Sequence, residues 1–474
     1  MTEKITKLMN DSPAIRWIAL ILIALMMFFG YMFVDVMSPL QQMIEGTHGW
    51  TPDIFGTYAA SEYILNVCGF LILAGIILDK MGIRFTGVLS ASMMFIGAAI
   101  KFYAVSDWFK GTGFEVWLNS WWVSLPGSAK LASLGFMIFG CGCEMAGTTV
   151  SKSIAKWFKG KEMALAMGIE MAIARVGVFS IFSISPIIAD KLGSVSAPVG
   201  FCTVLLLIGL INFIIFAFMD KKFDKQLVEV GMATTEADPE EEFKVADLGK
   251  IFSNLNFWVV AMLCVLYYSA IFPFQRYGAN MLQCNLDGIS AEAASNIFRW
   301  FPIGAAAITP FLGSYLDHKG KGATMLIWGA ILLIVCHLVF AFVLPATHSE
   351  FIAYTTIVIL GISFSLVPAA LWPSVPKIID EKILGSAYCL IFWVQNIGLC
   401  LVPVLIGNVL AIANENNEAV IAAKNAGETF IPYNYTIPLV IFAGFGVLAF
   451  LIAIYLKVLD KKRDLGLEKP NIIK

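Results

Sequence analysis

Twelve stretches of roughly 20 to 30 mostly apolar residues run through this chain. Each is long enough to cross a bilayer as a helix, which takes about 20 residues. In lipid the backbone must satisfy its own hydrogen bonds, so a chain built this way folds as a bundle of helices. The expected fold class is an all-α membrane protein with twelve transmembrane helices. The first six stretches lie at roughly 14–37, 54–78, 85–104, 131–152, 163–189 and 197–219. The second six lie at roughly 255–281, 291–316, 323–344, 350–375, 384–412 and 434–458. Between the two sets, 220–254 carries DKKFDK and TTEADPEEEFK and reads as a linker with a short amphipathic helix at 243–253. The expected organisation is a six-helix bundle over 1–219, the linker, and a second six-helix bundle with a tail over 255–474.

Composition narrows the function. Apolar residues make up 59 % and charged residues 14 %, against about 45–50 % and 25 % in soluble domains. The formal net charge of −2 offers nucleic acid no basic surface. The 9 cysteines are scattered, form no C-x-x-C pair and accompany only 4 histidines, so no metal site or disulfide framework is expected. Without a G-x-x-x-x-G-K-[ST] loop, ATP-driven pumping within one chain is not expected either. No cofactor and no enzymatic activity are anticipated. The first apolar run is too long for a cleavable signal and lacks a small-residue cleavage site.

Lys and Arg set the orientation. With both termini cytoplasmic, inner segments hold Lys80, Arg84, Lys152, Lys156, Lys159, Lys161, Lys221, Lys222, Lys319 and Lys321, among others, while the outer ones hold Lys110, Lys130, Lys191 and Lys424. An odd number of spans would spoil this loop-by-loop alternation.

The halves share a loop signature. Gly75, Asp79, Lys80, Gly82 and Arg84 follow span 2, and Gly313, Asp317, Lys319, Gly320 and Lys321 follow span 8. Both read G-x-x-x-D-x-x-G with basic neighbours, 238 residues apart. The glycines allow a tight reversal, and an Asp at a helix end can meet another helix's N-terminus or a basic side chain. Such a contact can hold two halves together in one state and release them in another, which assigns these residues to conformational gating. The repeated signature and the two six-helix halves resemble the major facilitator superfamily. That resemblance implies two bundles around a central site, working by alternating access.

A charge at the bilayer centre costs at least about 2.5–3.5 kcal/mol, so each one is a functional candidate. Counting along each span at about 1.5 Å per residue, Asp35, Glu62, His337, Arg276 and Arg299 fall toward the outer surface, where they are expected to reach water. Glu144 and Arg175 do not. Glu144 lies 14 residues after Lys130 and 12 before Lys156; Arg175 lies 14 after Lys161 and 15 before Asp190. Glu170 is nearer the inner side. Spans 4 and 5 are an antiparallel pair, so Glu144 and Arg175 form either a structural ion pair or a zwitterion site. In the second case Arg175 takes a carboxylate and Glu144 an ammonium group.

The second half shows no central charge. Its candidates for lining a tolerant pocket are Tyr267 and Tyr268 on span 7, Trp372 on span 10, and Trp393, Gln395 and Asn396 on span 11. Aligning IARVG (173–177) with VQNIG (394–398) sets Asn396 opposite Arg175.

Specific stretches resemble one branch of the superfamily, the lysosomal dipeptide transporters and their prokaryotic relatives. They are CEMAG (143–147), KWFKGKEMALAMGIEMAIARVG (156–177), CVLYYSAIFPF (264–274), GISFSLVPAALWP (361–373) and LGSAYCLIFWVQNIG (384–398). The resemblance implies a general dipeptide carrier that engages the peptide's termini at Glu144 and Arg175, with an accessory subunit only if the chain is eukaryotic. A uniporter is the expected mechanism, because neither Asp35 nor Glu62 is central and the E-x-x-E-R pattern of proton-coupled oligopeptide carriers is missing from span 1. Proton coupling, and an organic-anion or other small-solute carrier of the same fold, stay open as alternatives. A membrane sensor or scaffold that has lost transport is the reading from another class. Loops 105–130, with Trp117, Trp121 and Trp122, and 413–433 look like additions to the branch pattern. Neither sequon Asn434-Tyr-Thr436 nor the tail segment Glu468–Ile473 makes a strong eukaryotic signal, so a prokaryotic cell membrane is expected, with a lysosomal membrane as the alternative.

Overall fold

The computed structural model describes residues 8–229, 248–286, 289–379 and 384–470. The central part of the expected linker and the last residues of the tail lie outside that set. The expected amphipathic helix is described only over Leu248–Phe252. Among the described residues, ten helices are long and apolar enough to cross a membrane. One of them, Pro52–Ala104, has 53 residues and holds two crossings. It turns back at Gly82, whose φ of 74° and ψ of 171° break the helical path; a side chain rarely adopts that conformation. The remaining crossing is divided at Arg299 into Ala291–Phe298 and Trp300–Lys319. Twelve crossings result.

Span 1 is Pro13–Asp35, extended by Gln41–His48. Span 2 starts at Pro52 and passes a π-helical turn at Asn66–Phe70; span 3 follows Gly82 to Ala104. Spans 4, 5 and 6 are Gly127–Trp157, Met163–Leu192 and Ser196–Glu229. Span 7 is Leu255–Asn285, span 8 the divided crossing, and span 9 runs from Gly322 to Thr347 through a π-helical turn. Spans 10, 11 and 12 are Glu350–Ile378, Leu384–Ala413 and Thr436–Arg463. Short helices Gly113–Asn119 and Glu418–Ala426 occupy the loops after spans 3 and 11.

Spans 1–6 pack into one bundle and spans 7–12 into another, and the bundles meet chiefly where span 2 lies along span 11 and span 5 along span 8. The chain's two described ends lie on one face, here the terminal face. There Arg16 pairs with Glu162 at 2.8 Å, and the backbone N–H groups of Lys321 and Gly322 donate to Glu468 and Leu467 in the tail.

The hydrogen bonds between the bundles concentrate in the half of the spans away from that face. Gln42 donates to Asn280 at 2.8 Å and to the Ile431 carbonyl at 3.0 Å. Tyr433 donates to Glu45 at 2.6 Å. Arg299 donates to Ser183 at 2.8 Å, and Ser295 to the Phe182 carbonyl. The Trp393 indole, donating to the Val67 carbonyl at 2.8 Å, is the contact nearest mid-depth. The far face is therefore sealed, and the space between the bundles opens toward the terminal face.

Candidate functional site

At mid-depth, span 5 presents Arg175 to the other bundle. Its guanidinium lies over the Phe364 ring of span 10, 5.0 Å from the centroid. Tyr31 of span 1 and Tyr268 of span 7 are close enough to act on it electrostatically. On span 4, Glu144 is half-buried; it and Glu170 lie within the same reach of Tyr31. Among the described residues no ion pair joins Glu144 or Arg175 to any partner. Spans 4 and 5 thus carry two opposite charges that are not paired with each other and that both act on Tyr31.

An aromatic wall leads from Arg175 toward the terminal face. Phe364 meets Phe272 edge-on at 5.6 Å, and Phe272 stacks on Tyr268 at 5.5 Å. The Trp372 indole donates to the Tyr268 hydroxyl at 3.3 Å, and its ring stacks on Phe392 at 4.8 Å. Tyr388 closes the wall by donating to the Trp372 carbonyl at 3.1 Å. Tyr268 and Trp372 therefore stand together beside Arg175.

The other candidates sit elsewhere. Tyr267 points into its own bundle, 1 % exposed, with its hydroxyl 3.5 Å from Ser363. Gln395 accepts from the Cys264 thiol at 3.3 Å and is buried. Asn396 donates back to the Phe392 carbonyl at 2.9 Å and is 1 % exposed. Trp393 spends its N–H on the junction with span 2. In this state these four serve packing and the contact between bundles.

One expectation fails outright. Asp35, Glu62, Arg276 and His337 do not reach water; they are 0 %, 5 %, 5 % and 0 % exposed. The count along each helix places them near the far surface, but there the two bundles close over Asp35, Glu62 and Arg276, and the second bundle's own packing covers His337. Arg276 of span 7 pairs with Asp35 of span 1 at 3.1 Å and with Glu62 of span 2. It also donates to the Val34 carbonyl. Ser38 and Gln275 donate to Asp35 as well. His337 lies against Phe274 and Phe442, its Nδ1 2.9 Å from the Leu333 carbonyl. Arg299 is tied to Ser183 and lies over Phe179.

A further buried cation was not anticipated. Lys101 of span 3 is 0 % exposed, and its ammonium has no hydrogen-bond partner among the described residues. It lies 4.2 Å from the ring centre of Phe33, 4.3 Å from Phe136 and 5.0 Å from Tyr58. Cation–π contacts are worth about 2 kcal/mol or more when desolvated, which offsets part of the cost of burying the charge.

The sequence model of the Major Facilitator Superfamily matches residues 20–403. The chain belongs to that superfamily. It is similar to the lysosomal dipeptide transporter MFSD1 of Pongo abelii, with 26 % identity over 409 residues, covering 83 % of this chain and 80 % of that protein. The human protein of the same name is 28 % identical over 346 residues, covering 71 % and 67 %. A solved D-xylose–proton symporter shares the fold, with a TM-score of 0.66, 14 % identity, and coverage of 93 % and 96 %. The chain is thus a multi-pass membrane transporter and not an enzyme.

The two repeated loops of this transporter lie on the terminal face. Asp79 pairs with Lys152 of span 4 at 2.7 Å. Arg84 pairs with Asp220 at 3.2 Å and with Asp224, both on span 6, and Lys156 joins the same carboxylates at 2.8 and 2.6 Å. All of these partners belong to spans 1–6. In the second loop, Gly320 turns at φ 71° and Lys321 at φ 69°. The tail packs there so closely that a Cβ on Gly320 would lie 2.4 Å from the Glu468 carbonyl oxygen. Gly75 and Gly313 each have open space beside them.

Proposed function

We propose that this transporter carries dipeptides by alternating access, taking the peptide's carboxylate at Arg175 and its ammonium at Glu144. The observation that supports this most directly is the pair of opposite charges at mid-depth on adjacent spans, neither of them ion-paired among the described residues. A transporter for a simple anion leaves Glu144 unmatched, and one for a simple cation leaves Arg175 unmatched. A peptide between them satisfies both. Tyr268 and Trp372 supply an aromatic wall that suits varied side chains, because stacking and apolar contact do not demand one shape. The relatives are named lysosomal dipeptide transporters, which agrees with this chemistry.

On this proposal both termini lie in the cytoplasm of a prokaryotic cell, and the described state is open inward. Movement down the substrate's own gradient, without a coupled ion, is the proposed energetics. Asp79 and Asp317, with the glycines and basic residues around them, tune the exchange between inward- and outward-open states. The partners are dipeptides and the lipid bilayer.

A thermal-shift screen of the purified protein against dipeptides, amino acids and dicarboxylates tests the reading. A ligand that binds the folded state alone stabilises it by about 2.7 kcal/mol at a hundredfold excess over its dissociation constant. Free dipeptides should do so, and N-acetylated or C-amidated ones should not. Equal stabilisation by the blocked peptides would overturn it.

A further inference from the structure

The seal on the far face is electrostatically balanced only while it is closed. Span 1 contributes Asp35, span 2 Glu62 and span 3 Lys101, all in the first bundle; span 7 contributes Arg276 from the second. Two carboxylates meet two cations in a space shielded from water. Asp35 has donors of its own besides Arg276, from Ser38 and Gln275. The one ion pair shown for Glu62 is with Arg276. Tyr63 adjoins Glu62, Tyr58 lies near Arg276, and Lys101 and Glu144 act on Glu62 through space.

Alternating access requires this face to open, and Arg276 then leaves with its bundle. The first bundle keeps Asp35, Glu62 and Lys101, an excess of one negative charge, and Glu62 has lost its partner. Opening admits water to Glu62, and a carboxylate released from its guanidinium is then free to take another cation in a charge-assisted hydrogen bond. Glu62 and Glu144 are neighbours through their helices. Gly140, one turn from Glu144, packs so tightly on span 2 that a Cβ there would lie 2.0 Å from the Glu62 carbonyl oxygen.

We propose that Glu62 is a second ammonium subsite, and that Arg276 and the substrate's ammonium group occupy it in turn. This rests on the reading of Glu144 as the ammonium site. In the state open at the far face, the incoming ammonium sits on Glu62. As the bundles close there, Arg276 takes Glu62 back and displaces the ammonium one helical turn to Glu144. From Glu144 it leaves through the open terminal face. Arg276 thereby acts as an internal competitor that gives the substrate up to the open side.

The test is hydrogen–deuterium exchange over residues 36–48 and 275–285 in the full-length protein reconstituted in nanodiscs, alongside uptake assays. Without ligand, Arg276→Gln should raise exchange in both segments about tenfold, Arg276→Lys should keep wild-type protection, and Arg276→Gln with Glu62→Gln should regain it. In the wild type, Ala-Ala and n-butylamine, an ammonium group alone, should raise exchange, and N-acetyl-Ala-Ala should not. Arg276→Gln should lower KM and kcat together, because its substrate is no longer displaced. Unchanged exchange in Arg276→Gln, or a double variant as open as the single one, would overturn the proposal. So would opening of the wild type on acidification alone to the extent seen with n-butylamine, since the replacing cation would then be a proton. Opening by n-butylamine with no binding of Ala-Ala would uphold Glu62 as the subsite and refute the dipeptide reading.

Discussion

Gly56 of span 2 and Gly407 of span 11 cross so closely that a methyl group on either would lie 2.4 Å from a main-chain oxygen of the other helix. The oxygens are those of Pro403 and Pro52. Tyr277 of span 7 fills the notch from the side, its hydroxyl donating to the Pro403 carbonyl at 3.2 Å. Apolar side chains gain little by leaving lipid for another helix, so close backbone approach through small residues is a main source of helix–helix attraction in membranes. This crossing joins the bundles at the far face, less than two helical turns beyond Glu62 of the Arg276 cluster.

Gly407→Ala should therefore act on the state and not on the fold. The nearest atom a methyl would meet is the Pro52 carbonyl oxygen, which is backbone and cannot step aside, and overpacking of this kind costs about 1–3 kcal/mol. That cost falls only on the state sealed at the far face. Exchange of the amides at 52–58 should rise, and substrate affinity measured from the terminal face should fall. Thermal melting should stay cooperative. Wild-type exchange in the variant would show that the crossing does not hold the seal.

Glu144 and Arg175 differ in kind from the Arg276 cluster, because neither has an ion-pair partner among the described residues. Removing one partner of a buried pair costs about 3–5 kcal/mol through the charge left behind. Arg175→Ala and Glu144→Gln leave no such charge, so each should melt within about 1 kcal/mol of the wild type. Each should still lose dipeptide uptake by about 10- to 100-fold, the worth of a hydrogen bond to a charged group. The double variant should regain nothing. Uptake restored in the double variant would mean that the two residues serve each other and not the substrate.

Much of this was legible because the bilayer imposes a length on every element. Each apolar run had to be a crossing, and lysines and arginines could be sorted by side. Glu144 and Arg175 stood out because neither end of their runs was near. What depth along one helix cannot show is the neighbouring bundle. Asp35, Glu62 and Arg276 sit at depths from which an isolated helix would reach water, and only packing between halves buries them. The cage around Lys101 draws Phe33, Tyr58 and Phe136 from three other spans, which leaves no local pattern. Tyr267 and Tyr268 are adjacent on a helix, about 100° apart in direction. Only one of them could face the space between the bundles, and the sequence did not say which.

Asp79→Asn tests the repeated loop. Its pair with Lys152 has side chains 36 % and 40 % exposed. A pair that open contributes about 0–1 kcal/mol, so melting should hardly change. Transport should change more, because Asp79 lies at the terminal-face end of span 2, where the bundles stand apart in this state and must meet in the other. The expected result is a change in kcat of several-fold with the order of preference among dipeptides unaltered. A changed order would put Asp79 in the substrate site.

The tail offers a separate test confined to the second bundle. Glu468 accepts from the Thr324 backbone N–H at 2.7 Å and from the Thr324 hydroxyl at 2.8 Å. It thereby satisfies one of the free donors at the start of span 9, where no side chain of that helix does so. Asp460 holds the tail in place by accepting from Leu467 at 2.9 Å and Glu468 at 3.3 Å, and Lys377 donates to the Gly466 carbonyl at 3.0 Å. Losing a side-chain cap costs about 0.5–2 kcal/mol. Glu468→Ala should accordingly raise amide exchange at 322–326 and lower the melting temperature modestly. Exchange in span 4, in the other bundle, should be unchanged. Glu468→Gln keeps an acceptor oxygen and should retain most of the protection. If Glu468→Ala left 322–326 as protected as before, span 9 would be held by its packing alone and the tail would be a passenger.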